Sequence, residues 1–506
     1  MYKAVISQFS LLNFNFAEHV SFAWTLLTSW PQYLSFGNMT LLHFTVAFFT
    51  VLSIISFYGI LKHLFSGNKH NIEVNLLTFL YAFYPPFVAN ALQYSPDYGV
   101  LVFYTIFLYF LITKHKKLTI LSGLCLVFTK ETGIVLYIIS IFILHLFTIF
   151  EQRLNRKNIQ NFIWNFSAYI LPFLFYVFFQ FIKVLNFRQE VLPWYLDPMS
   201  GKLQMPLFPA SVVQKIPFSY FLGIFVINFN WILSTFLIIG LVLSLFHFFS
   251  QNSMKSGKTW GINKSISYLY IVFLSATAIF SLYKIFTNLR YFLPLYVFMI
   301  ILFYFGLKSV FRKRRIVIFI LSIIVIVFFI SCFRTVDPVS RKIYGTFKFG
   351  NHDILDMTSI TGECCGYGRD QLVYNLEYTH LHYLLNDLLH NIRPPNEDAF
   401  AYNLHAGPFL FPVWDKSNFS RTVSHKNVHP VYIINWYSYL YNKPKIIYYI
   451  EMPNTDNTNY LQWYETRMYS PTLKLHYALV KEMSFDDDGY ALKVYKLKYK
   501  SETPTR

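Results

Sequence analysis

The stretch SPDYGVLVFYTIFLYFLITKHKKLTILSGLCLVFTKETG, residues 95–133, carries the pattern on which the fold turns. An apolar run at 97–113 meets Lys114, Lys116 and Lys117. A second run follows at 118–130, then the polar corner Thr129-Lys130-Glu131-Thr132, then a third run at 133–150. The first run approaches the ~20 residues that carry a helix across the hydrocarbon core. The next two are shorter, and a single broken helix is the other way to read them. They are read as two spans because only then do the loops alternate in charge.

Similar apolar segments lie near 41–62, 75–93, 162–184, 225–249, 265–287, 291–308 and 316–333. Composition agrees. The chain is 55% hydrophobic and 21% aromatic with 13% charged residues, against about 25% charge in soluble domains. The expected fold is mainly α, a polytopic bundle of about ten to eleven spans over residues 1–334. Residues 335–506 are expected to form an extramembrane α/β domain.

The net charge of +18 would suit nucleic acid, but its distribution excludes that partner and points to the bilayer. Lys62 and Lys69, Lys114 to Lys117, Arg153 to Lys157, Lys255 to Lys264 and Lys308 to Arg315 all fall in one set of loops. The positive-inside rule puts that set in the cytoplasm. Asp97, Lys130, Glu131, Arg290 and everything beyond about residue 334 then face the outer side. Before Leu41, Trp24, Trp30 and Tyr33 suit an interfacial helix.

Beyond Arg334 the apolar runs shorten to strand length. Gln371–Ile392 has helical spacing and stops before Pro394-Pro395. Val431–Trp436, Ile446–Ile450, Leu475–Val480 and Ala491–Leu497 read as strands, with Phe485-Asp486-Asp487-Asp488-Gly489-Tyr490 as a hairpin turn before the last.

Charge at membrane depth needs a reason. The plain reading of Asp97 is a helix N-cap, and that of Lys130 and Glu131 a pair with each other at an interfacial break. Against this stands convergence. Glu18, Asp97, Lys130/Glu131 and Arg290 all occupy outer corners, where carboxylates and cations could hold a lipid-linked phosphate and activate a hydroxyl. The four cysteines (Cys125, Cys332, Cys364, Cys365) have neither disulfide-framework nor zinc spacing. Glu377, His380 and His382 make a poor metal cluster, because the two histidines point apart on a helix. Asp486-Asp487-Asp488 lacks calcium-loop spacing. Gly366-Tyr367-Gly368 lacks the context of a phosphate loop.

Four stretches resemble GT-C type membrane glycosyltransferases, especially the bacterial relatives of protein O-mannosyltransferases and aminoarabinose transferases. They are Ala17-Glu18-His19-Val20-Ser21-Phe22-Ala23, Tyr84-Pro85-Pro86 through Ser95-Pro96-Asp97, Phe128-Thr129-Lys130-Glu131-Thr132-Gly133, and Arg290-Tyr291-Phe292-Leu293-Pro294. The resemblance implies an inverting transfer from a polyprenyl-phosphate-linked sugar to a glycan, lipid or protein acceptor on the outer face of a bacterial inner membrane. It implies Glu18 and Asp97 as the catalytic acids, with Lys130, Glu131, Arg290 and Tyr291 holding donor phosphate or organising the site. A divalent cofactor is compatible with this family, but no metal site is read from the sequence. In two respects the chain departs from the family: only about 17 weakly apolar residues precede Glu18, short of a full span, and Glu18-His19 stands where the first-loop motif has Asp, often Asp-Glu. The alternatives are a transporter or flippase for a lipid-linked or anionic substrate, and a non-catalytic member of a glycan-assembly complex.

Overall fold

A computed structural model describes residues 22–34, 39–65, 70–92, 95–151, 167–186, 225, 229–250, 260–281, 291–311, 313–332, 347–349, 352–354, 399–402, 431–433, 445–451, 477–487 and 490–500. Of the described residues, 84% are helical. The chain divides into two compact units, Met1–Cys332 and Phe333–Arg506.

The first unit contains α1 (Phe22–Leu34), α2 (Met39–Leu64), α3 (Asn71–Ala82), α4 (Pro85–Leu92), α5 (Pro96–Ile112), α6 (Lys116–Val127), α7 (Glu131–Glu151), α8 (Leu171–Asn186), α9 (Trp231–Ser250), α10 (Trp260–Ser281), α11 (Tyr296–Val310) and α12 (Arg314–Cys332). A 3-10 turn, Leu293–Leu295, leads into α11. Two stretches among the described residues, Leu41–Leu64 and Leu293–Val310, are long and apolar enough to cross a membrane. Asn71–Ala82 and Pro85–Ala91 would together make a third, bent by 54°.

That bend is a finding, since 75–93 reads in sequence as one continuous segment. Pro85 and Pro86 each lack the N–H an uninterrupted helix needs, and Pro85 is well suited to start a new one. Main-chain carbonyls near the break take side-chain donors instead. Tyr296 Oη donates to Leu80 O at 3.0 Å, and Cys332 Sγ to Phe83 O at 3.0 Å. The helices α6 and α7, by contrast, form a side-by-side pair rather than one broken helix. Gly123 lies against Tyr137, and a Cβ on Gly133 would come within 2.4 Å of Leu126 O.

Hydroxyls stitch the apolar interior. Tyr81 Oη bonds both Ser53 Oγ (2.8 Å) and Thr105 Oγ1 (3.0 Å), joining α3 to α2 and α5. Tyr104 Oη meets Ser140 Oγ at 2.8 Å and ties α5 to α7. The helices α9 and α11 touch at backbone level. A Cβ on Gly306 would overlap Phe236 O, so only glycine permits the approach.

Several helices are apolar on their outer faces as well. Phe44, Phe48, Val51 and Ile55 make an exposed stripe on α2, and Phe319, Ile323, Ile326 and Ile330 make one on α12. Both follow the three-and-four spacing of a single helix face. A helix facing water would carry polar residues there.

The second unit has a two-stranded antiparallel sheet, β1 (Phe347–Phe349) with β2 (His352–Ile354). It also has a five-stranded sheet built from β3 (Ala399–Tyr402), β4 (Val431–Ile433), β5 (Ile446–Glu451), β6 (Tyr477–Asp487) and β7 (Tyr490–Tyr499), in the order β4-β3-β5-β7-β6. β3 runs parallel to β4 and β5, while β7 runs antiparallel to β5 and β6. Asp487 pairs with Tyr490, so the hairpin connection is two residues long and the strands extend further than their sequence pattern suggests. The helix expected at Gln371–Ile392, the His380/His382 group and Cys364-Cys365 lie outside the described residues.

Candidate functional site

The site begins with the start of α5. Ser95 has extended backbone angles and caps the helix, its Oγ accepting from Asp97 N at 3.2 Å, with Pro96 in the first helical position. The cap is therefore Ser95, which leaves the Asp97 carboxylate for another task. Its side chain is 4% exposed and receives Lys130 Nζ at 2.6 Å. Lys130 thus pairs across 33 residues with Asp97 rather than with its neighbour Glu131.

Lys130 owes its position to the corner between α6 and α7. Phe128 closes α6 through its N–H to Leu124 O, and Thr129 Oγ1 folds back onto Cys125 O at 2.6 Å. Gly133 N then bonds Lys130 O at 2.9 Å as α7 starts. Glu131 stands in the first turn of α7, where a helix dipole favours a carboxylate.

The third element is Tyr291, just before the 3-10 turn. Lys130 Nζ lies 4.3 Å from its ring centroid, within cation–π range. The Lys130 side chain is 13% exposed, its ammonium held between a carboxylate and an aromatic face. Of its three N–H donors, one goes to Asp97. Burying such a pair is weak evidence for stability, because desolvation offsets the Coulomb gain.

A fourth segment reaches the same corner. Ala23 N, at the start of α1, donates to Phe128 O at 2.9 Å. The fully buried Trp24 ring lies against Gly99, where a Cβ would come within 2.6 Å of it. Gly99 lies in the first turns of α5, so Trp24 packs α1 against the start of that helix. The structure therefore brings together Asp97, Lys130 and Tyr291, with Glu131 adjacent in the chain. Glu18 and Arg290 lie outside the described residues.

A second charged cluster escaped the sequence reading. Glu73, 1% exposed, receives Arg314 Nε at 2.6 Å on Oε1 and Nη2 at 2.8 Å on Oε2, joining α3 to α12. His70 Nδ1 lies 3.3 Å from Oε1. The available signal was that Glu73 is the only acid between Leu41 and Gln93. Among the described residues no three His, Cys, Asp or Glu side chains come together as metal ligands would.

No protein-family model matches this sequence, and neither the curated proteins nor the solved structures offer a match.

Proposed function

We propose that the chain is a polytopic membrane glycosyltransferase of GT-C type, with its active site at the outer corners around Asp97 and Lys130. The observation that carries this reading is the Lys130 ammonium, held by Asp97 and Tyr291 where three separately coded motifs meet. The apolar outer faces of α2 and α12 favour lipid as their surroundings. The other apolar helices would complete about ten spans, with the second unit outside the cytoplasm, in a bacterial inner membrane.

In this mechanism the donor is a polyprenyl-phosphate-linked sugar lying in the bilayer. The acceptor hydroxyl oxygen attacks the anomeric carbon from the face opposite the phosphate, the carbon–oxygen bond to phosphate breaks, and the configuration inverts. A carboxylate, Glu18 or Asp97, takes the hydroxyl proton, and the polyprenyl phosphate leaves with its negative charge. Lys130 and Arg290 neutralise that charge as it develops. Tyr291 keeps the ammonium aimed, and Glu131 organises the corner.

One observation favours a second reading. The bent pair α3–α4 is a broken helix, as transporters use at their substrate sites. Purified protein in proteoliposomes with a radiolabelled polyprenyl-phosphate sugar separates the two. The proposal expects label to move onto an added acceptor, and Glu18→Gln to abolish that transfer. Flux of the lipid-linked sugar across the bilayer without glycosyl transfer would establish the transporter instead.

A further inference from the structure

From the Tyr291 turn, α11 runs for 15 residues and ends at Val310, about 22 Å of helix away from the Asp97–Lys130 corner. Four helix ends are tied together there. Lys62, in the last turn of α2, donates to Asn71 Oδ1 at the start of α3, at 2.6 Å. Phe65, just past α2, packs edge-on against Tyr304 of α11 with ring centroids 4.9 Å apart. Glu73, in the first turn of α3, takes both arms of Arg314, the first residue of α12.

Charge at this end is one-sided. Lys62, Lys308, Lys313, Arg314 and Arg315 stand at these helix ends, whereas residues 291–334 contain no Asp or Glu. Glu73, the only acid between Leu41 and Gln93, is already engaged by Arg314. Lys308, Lys313 and Arg315 are exposed.

A second feature sets this junction apart from a general excess of cations on one side of the bundle. Val317, Leu321, Ile324 and Phe328 form the buried face of α12, and Phe319, Ile323, Ile326 and Ile330 are exposed on the opposite one. Arg315 precedes Phe319 by four residues and so heads that stripe, with Ile316, 40% exposed, at its other edge. Arg314, one position earlier, turns away to Glu73 and pins the start of the helix. Arg315 is therefore carried on a fixed turn. Cations at the head of a continuous apolar stripe match the two halves of an anionic phospholipid, its phosphate and its acyl chains.

We propose that Lys308, Lys313 and Arg315, at the junction of α11 and α12, bind the headgroup of an anionic phospholipid whose acyl chains lie along the exposed stripe of α12. This rests on the chain being membrane-bound and is independent of any transferase activity.

The test is native mass spectrometry of the full-length protein in a neutral detergent, titrated with phosphatidylglycerol or with phosphatidylcholine. Each cation beside an anionic headgroup contributes about fivefold in affinity, so phosphatidylglycerol should bind at least about fivefold more tightly. Lys313→Gln/Arg315→Gln should remove that preference. Lys114→Gln/Lys117→Gln, which takes the same charge from the turn between α5 and α6, should keep it. Should the first double variant fail to fold, Arg315→Gln alone, at an exposed position, should lower the preference by about fivefold. Equal binding of the two lipids by the wild-type chain would overturn the proposal, and so would an equal loss in both double variants. Displacement of phosphatidylglycerol by inorganic phosphate would also overturn it, since the junction would then be a small-anion site. Recovery of the chain in the water-soluble fraction would remove the membrane reading itself, and this proposal with it.

Discussion

Two buried carboxylates in the helical unit are handled in opposite ways. Glu73 meets an arginine whose planar fork occupies both carboxylate oxygens, with a histidine alongside. Asp97 meets a lysine through one N–H, and that lysine also lies against a tyrosine ring. Guanidinium and carboxylate match two to two, so the first pair is geometrically complete and works as a clasp between α3 and α12. Ammonium is a point charge with rotatable donors, and only one of them is committed to Asp97. The bidentate pair ties two helices together. We propose that the Asp97–Lys130 pair, with one N–H contact and the Tyr291 ring alongside, instead holds and releases an anion.

The comparison can be broken by exchanging the roles. Lys130→Met leaves the Asp97 carboxylate buried without its cation and should cost about 3–5 kcal/mol of stability, read as thermal unfolding in detergent. The double variant Asp97→Asn/Lys130→Met should recover most of that stability while remaining without transfer activity. Recovery of both would reduce the pair to a clasp like the other. Glu73→Gln should lower the melting temperature by a few degrees and leave turnover per folded molecule near wild type. The smallest effect is expected from Tyr291→Leu. Removing the ring face should cost about 1 kcal/mol and raise the KM for the phosphate-bearing donor more than it lowers kcat.

The sequence made the corner motifs legible because their chemistry is local. Ser-Pro-Asp starts a helix, Thr-Lys-Glu-Thr-Gly turns between two, and Tyr-x-x-Pro leads into a third. Their meeting could be guessed only from the alternation of loop charge. Asp97 as an N-cap was a misreading at the scale of two residues. Ser95 offers its hydroxyl with suitable backbone angles, and the aspartate one turn position inside is released to pair elsewhere. The Glu73–Arg314 clasp was invisible because its partners are 241 residues apart, so no local pattern links them. The bend after Ala82 was written in Pro85-Pro86, but an apolar run on both sides hid it. In the second unit the alternating residues of β7 announced a strand. The parallel pairing of β3 with β4 and β5 did not show, because such contacts depend on distant segments rather than on a turn.

The central claim is that Asp97 and Lys130 form a working site. It is tested most directly by sugar transfer per folded molecule in Asp97→Asn, measured beside Glu73→Gln in the same lipid. The account predicts that Asp97→Asn loses about 10²- to 10⁴-fold in turnover while Glu73→Gln stays close to wild type. Wild-type turnover in folded Asp97→Asn would contradict it.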